Sequence, residues 1–142
     1  HPAGDVIYRD LSLNPPPPID AEWIGAAYTP EANRTAAQVD KLALSEEMIS
    51  ELERADEYVI GVAMHNFSVP ATLKLWVDQV VRRGRTFSYD EAGPKGHLSG
   101  KKATLVVASG GVYAPGTPAA TMNHAEPYLR TVLGFIGVTD VK

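Results

Sequence analysis

The sequence predicts an open α/β domain, a parallel sheet with flanking helices, and three observations carry that reading. Two runs, "EYVIGVA" at 57–63 and "KKATLVVAS" at 101–109, are almost continuously apolar and β-branched, the pattern of strands buried on both faces. Each is followed by a stretch with helical spacing: Leu73, Trp76, Val77 and Val80 after the first, and Tyr128, Leu129, Val132, Leu133 and Ile136 after the second. Strands that alternate with helices imply βαβ units and hence parallel pairing. The length of 142 residues, 44% hydrophobic and 21% charged, suits one domain over 1–142 with a real core.

The elements follow in order. "DVIYRDL" alternates and reads as a short strand. Pro15 to Pro18 lack backbone N–H groups and enforce an extended connector. A stiff surface link is the simpler reading of them, and a polyproline ligand motif the other. "DAEWIGAAY" is a short helix at best. A helix is then expected from Thr29 as cap and Pro30 at the first position, with Val39, Leu42 and Ala43 on one face. A second start is expected at Ser45, with Glu46 and Glu47 at the positive helix end and Met48, Ile49, Leu52 and Ala55 on one side. Pro70 opens the helix after the first buried strand. "TFSYDEAGPKGHLSG" is extended chain broken by Gly and Pro, "GGVYAPGTPAATMN" is a long loop, and "VTDVK" begins one more strand.

Composition removes several function classes. With no cysteine, disulfides, iron–sulfur clusters, thiolate zinc sites and Cys nucleophiles are excluded. A net charge of −4 argues against a nucleic-acid surface. No apolar run reaches membrane-span length, so no membrane partner is expected. The histidines at 1, 65, 97 and 124 have no metal-ligand spacing, and no metal is expected. "GPKGHLSGKK" resembles a phosphate loop, but only three residues separate Gly96 from Gly100, and Lys101 leads into a strand. No G-x-G-x-x-G or G-x-S-x-G is present. No catalytic acid, base or nucleophile is assigned.

Two loops remain. "MHNF" (Met64, His65, Asn66, Phe67) and "ASGG" (Ala108, Ser109, Gly110, Gly111) leave the C-terminal ends of the two buried strands. Ligands of open α/β sheets sit just beyond such ends. Gly110 and Gly111 would let backbone amides approach a flat ligand. Asn66 offers donor and acceptor, and Met64, Phe67 and Tyr113 offer apolar or stacking surface. That set suits a planar heterocycle with a polar edge. Two ordinary turns, with Phe67 in the core, fit the same residues.

"MHNFSVPATLKLWVDQVVRRGRTFSY", "GPKGHLSGKKATLVVASGGVY" and "YLRTVLGFIGVTDVK" together resemble the FMN-dependent NADH-azoreductase family, which also reduces quinones. The resemblance runs from "VIYRDLSLNP" to the end of the chain. It implies a flavodoxin-like fold, FMN and NADH as cofactors, a cytoplasmic homodimer, and reduction of quinones to hydroquinones and of azo compounds to amines by ping-pong hydride transfer through the flavin. It also implies that Met64, His65, Asn66 and Phe67 and then Ala108, Ser109, Gly110 and Gly111 hold the flavin ring, with Tyr113 on the substrate rim. The family often has Tyr where His65 stands and can have Arg where Ser109 stands. His65 is read as packing on the ring, with assistance to protonation as its other role. The family's first strand, its Ser-rich phosphate loop, its first helix and its last helix have no counterpart here, so the chain reads as an internal, incomplete portion. A flavodoxin-fold electron carrier without NADH turnover and an inactive fragment are the competing readings.

Overall fold

The computed structural model describes residues 4–142, so His1 lies outside the described residues. Chain order is α1 (Ala21–Tyr28), α2 (Ala36–Arg54), β1 (Glu57–Ala63), α3 (Ala71–Val80), β2 (Phe87–Asp90), β3 (Gly93–Gly96), β4 (Lys102–Ala108), α4 (Glu126–Phe135) and β5 (Asp140–Val141). β1, β4 and β5 form one parallel sheet in that order, and β2 and β3 form a separate antiparallel hairpin. The α3 and α4 crossovers are what permit parallel pairing of their flanking strands.

Helix α2 corrects two expectations. Thr29 is the residue that ends α1, and residues 31–33 form a single 3-10 turn. The helix starts later, at Thr35, whose hydroxyl accepts the Gln38 N–H while the Gln38 side chain accepts the Thr35 N–H. Such a reciprocal cap is worth about 1 kcal/mol, and a Pro-led start at residue 30 has no side chain to match it. Ser45 does not cap a second helix; α2 runs unbroken through it. Its buried hydroxyl donates to the Gln79 carbonyl at 2.6 Å and accepts from Arg82 at 2.9 Å, tying α2 to the end of α3. Burial lowers the Arg82 pKa to about 10, and Glu46 answers its remaining charge. Val39 and Ala43 face solvent, whereas Leu42, Met48, Ile49 and Leu52 are buried.

The helices cover one face of the sheet. Met48, Ile49 and Leu52 of α2, Val80 of α3, and Leu133 and Ile136 at α4 pack onto Tyr58 and Ala103. Full burial of each such side chain contributes roughly 1.5–3 kcal/mol. The other face is open: Val59 is 75% and Val106 57% exposed. The strands are therefore buried on one face only, contrary to the reading of their apolar runs, because no described element lies over the second face.

"DVIYRDL" is not a strand among the described residues. It has no ladder partner, and Val6 and Tyr8 are exposed. Arg9 holds it by ion pairs to Glu47 and Glu51 on α2. Between residues 7–12 and the outer edge of β1 lies a cleft of about 600 Å³. That edge has no strand partner among the described residues. The proline run has no helix or strand, and it departs from a pure surface link at one residue: Pro16 is fully buried, and the Pro17 carbonyl accepts the Gln79 side-chain N–H at 3.0 Å.

The hairpin is fixed by a glycine crossing. A Cβ on Gly96 would stand 2.1 Å from the Gly137 nitrogen, so β3 rests backbone to backbone on the end of α4. The Leu98 N–H donates to the Ile136 carbonyl at 2.8 Å beside it. Lys101, the false phosphate-loop lysine, donates to the Glu53 and Ala55 carbonyls at the end of α2, where a cation is favoured by the helix dipole.

Candidate active site

β1 and β4 end in register. Ala63 sits opposite Ala108, and the Met64 N–H donates to the Ala108 carbonyl at 2.8 Å. The two predicted loops therefore leave from the same rung of the sheet. Beneath them Val62, Leu73 and Leu129 form a buried cluster, which gives both loops a rigid floor.

The first loop is a tight turn closed twice over. The His65 N–H donates to the Ser68 carbonyl at 2.9 Å, and the Ser68 N–H returns to the His65 carbonyl at 3.0 Å. Asn66 and Phe67 between them have φ of 46° and 71°. Positive φ at both central residues is the requirement of a type I′ turn, usually met by Asn-Gly. Asn66 suits its place, but Phe67 stands where glycine is normal, at a cost of roughly 1–2 kcal/mol. Phe67 is 41% exposed, so the core role open to it from the sequence does not hold. Its ring pairs T-shaped with that of Tyr113, at 6.3 Å between centroids and 74° between planes. The Phe67 carbonyl accepts the His124 N–H at 2.9 Å.

The second loop is open backbone. Ser109 turns its hydroxyl onto the Gly111 carbonyl at 2.8 Å. A Cβ on Gly110 would meet nothing within 4 Å, whereas one on Gly111 would touch the Tyr113 ring at 3.3 Å. Ala108, Ser109, Gly110 and Gly111 are all exposed, as are His65 and Asn66, while Met64 and Tyr113 are half-buried. The structure thus brings all nine predicted positions to one end of the sheet.

These residues fit a flat heterocycle: exposed backbone, an Asn, and two aromatic rings beside a surface that Gly110 leaves clear. They are a poor match to a phosphate, since neither 64–69 nor 108–125 contains Lys or Arg. The cleft along β1 opens onto this site, with His65 and Pro70 in its lining. Sequence reasoning missed Asn123 and His124. Asn123 accepts the Ala125 and Glu126 N–H groups, each at 3.3 Å, at the start of α4. The signal for Asn123 was there, an Asn three residues before a Glu ahead of a helical run; the His124 backbone contact has no sequence signal.

The family described as "Flavodoxin-like fold" matches residues 1–142. An FMN-dependent NADH:quinone oxidoreductase of Acidobacterium capsulatum is 66% identical over 142 residues, covering 100% of this chain and 69% of the relative. FMN-dependent NADH:quinone oxidoreductase 3 of Burkholderia lata is 50% identical, again over 100% of this chain and 69% of its own length. Among solved structures, an azoreductase from Bacillus anthracis superposes with a TM-score of 0.89 at 31% identity, over 100% of this chain and 69% of the other. A FMN-dependent NADH-azoreductase from the same species, in complex with FMN, gives 0.82 at 26% identity, over 94% of this chain and 64% of the other. Matched along its whole length, and two-thirds identical to one of these enzymes, the chain belongs to the FMN-dependent NADH:quinone oxidoreductases of the flavodoxin-like fold.

Proposed function

We propose that this chain carries the ring-binding site of an FMN-dependent NADH oxidoreductase that reduces quinones to hydroquinones and azo compounds to amines. The observation that carries the reading is the pairing of a left-handed turn, with Asn66 and Phe67 at its tip, and a bare glycine loop on one rung of the sheet. When bound, the flavin would supply the redox chemistry, relaying two electrons per NADH, so that one round would take a quinone to its hydroquinone and two successive rounds an azo bond to two amines. The chain's own part is positioning. Gly110 and Gly111 allow close approach of backbone to the ring. Backbone donors there would offset negative charge on a bound ring. Phe67 and Tyr113 wall the acceptor side. Neither His65 nor Ser109 has to act as an obligatory acid or base. The phosphate of FMN needs an anchor outside both loops, given their lack of cationic side chains. Among the described residues no helix is long and apolar enough to cross a membrane.

The test is NADH oxidation by the complete protein with a quinone acceptor, alongside its retained flavin. Flavin retention with quinone-dependent NADH oxidation is the expected result. Retention without turnover would make it an electron carrier instead, and no retention would remove both readings.

A further inference from the structure

We infer that the backbone N–H of His124 is a latch that positions Phe67 in the active site. The peptide joining Phe67 to Ser68 is held at both of its polar ends. Its N–H points into the turn, to the His65 carbonyl at 3.0 Å, and its carbonyl points out, to the His124 N–H at 2.9 Å. The two bonds inside the turn fix where it opens and closes. Among the described residues, only the outer bond fixes the carbonyl against the rest of the protein. A Phe at φ of 71° has a steric reason to leave that conformation, so it persists only where the surroundings over-determine it. The exposed side chain cannot supply all of that restraint, since its described aromatic contact is the single T-shaped pairing with Tyr113.

The latch is itself rigidly mounted. His124 follows Asn123, whose side chain caps the start of α4, and α4 packs Leu129 and Leu133 into the core. The first loop is thus referenced to α4 as well as to its own strand. The His124 imidazole has no part in this: it is the main-chain donor that counts, and any residue except proline supplies one.

The functional consequence rests on the flavin oxidoreductase reading; the latch itself does not. Proline is the direct test, because it deletes the donor. Asn123 has φ of −80° and ψ of 100°, a conformation a residue before proline accepts. In the complete FMN-loaded protein, His124→Ala should leave the quinone KM within about twofold of wild type, because its N–H remains. His124→Pro should raise that KM by about five- to tenfold, the factor that one ordinary hydrogen bond is worth, with kcat changed less. In a Phe67→Gly background the proline should add almost nothing, since glycine takes positive φ freely and has no ring to misplace. A proline effect of equal size in both backgrounds, or an alanine effect equal to the proline one, overturns the latch. If His124→Pro does not fold, amide hydrogen exchange in the unmutated protein decides: the His124 N–H should exchange at least about tenfold more slowly than a solvent-exposed amide, and free exchange overturns the proposal. That measurement stands even where the wild type neither retains flavin nor oxidises NADH, an outcome that would count against the enzyme reading alone.

Discussion

Gly96→Ala is a severe small substitution outside the site. The added methyl carbon would sit 2.1 Å from the Gly137 nitrogen, 2.2 Å from the Ile136 carbonyl carbon and 2.6 Å from the Gly137 Cα. Comfortable contact is about 3.5–4.0 Å. All three neighbours are backbone, so no side chain can rotate away, and the strand and the helix end must part by roughly 1.5 Å to restore contact. Parting them weakens the Leu98–Ile136 bond of 2.8 Å, a loss of about 1 kcal/mol. It also disturbs Leu98, Ile136 and Val138, all buried, and overpacking of this kind costs about 1–3 kcal/mol. Against this, alanine restricts the unfolded chain and returns about 0.4–1 kcal/mol. The net expectation is destabilisation by about 2–3 kcal/mol, read as a lower urea midpoint with unchanged slope in the complete protein. Gly25→Ala is the control: its Cβ meets nothing within 4 Å inside α1, and it should stabilise by up to about 1 kcal/mol. A Gly96→Ala midpoint equal to wild type would refute the backbone crossing.

At the site, Gly111→Val should weaken FMN retention well beyond Asn33→Ala, because its Cβ already meets the Tyr113 ring at 3.3 Å; equal flavin content in the two purified variants would remove Gly111 from the ring site. Asp20 caps α1 and its pKa is lowered, first by the Lys41 ammonium and then by the Trp23 N–H. A depressed carboxyl pKa stabilises above the unfolded value of 3.8 and loses that contribution as pH falls below it, so an acid change in Trp23 fluorescence near and below pH 4 should shrink in Asp20→Asn. The complete protein should be a homodimer, with Tyr89 and Phe87 on the exposed hairpin suited to such a surface; a monomer in sedimentation at micromolar concentration refutes it.

The sequence was most legible where one short-range pattern decided the structure. Leu73, Val77 and Val80 bury one stripe of α3, and their spacing had no competing reading. "KATLVVA" could hardly be anything but a strand. The errors fell where tertiary contacts overrule local chemistry. Ser45 looks like a cap because serine usually prefers one, yet a partner carbonyl on α3 and a guanidinium gave its hydroxyl a better place mid-helix. Thr29 and Thr35 are equally plausible caps in isolation. Gln38, three residues after Thr35, completes the reciprocal bond that Thr29 lacks, and that three-residue offset is legible in the sequence.

The site shows the same division more sharply. That Asn66 and Phe67 stand beyond a strand was plain from the sequence, and so was the bareness of Gly110 and Gly111. Backbone handedness was not. A sequence with glycine at position 67 would have announced a type I′ turn; with Phe there, the local code points away from the structure that forms. Such a conflict between a residue and its backbone is expected where a side chain is held for use rather than for stability. The strand errors have a related cause. An apolar run records every surface a strand is built to cover, whereas the described residues cover one face and one edge of β1. Val59, Val106 and the cleft of about 600 Å³ beside β1 are therefore the surplus of that pattern over the packing present. Such a surplus marks a surface shaped to be buried, and an apolar face with an unpaired edge resists exposure to water.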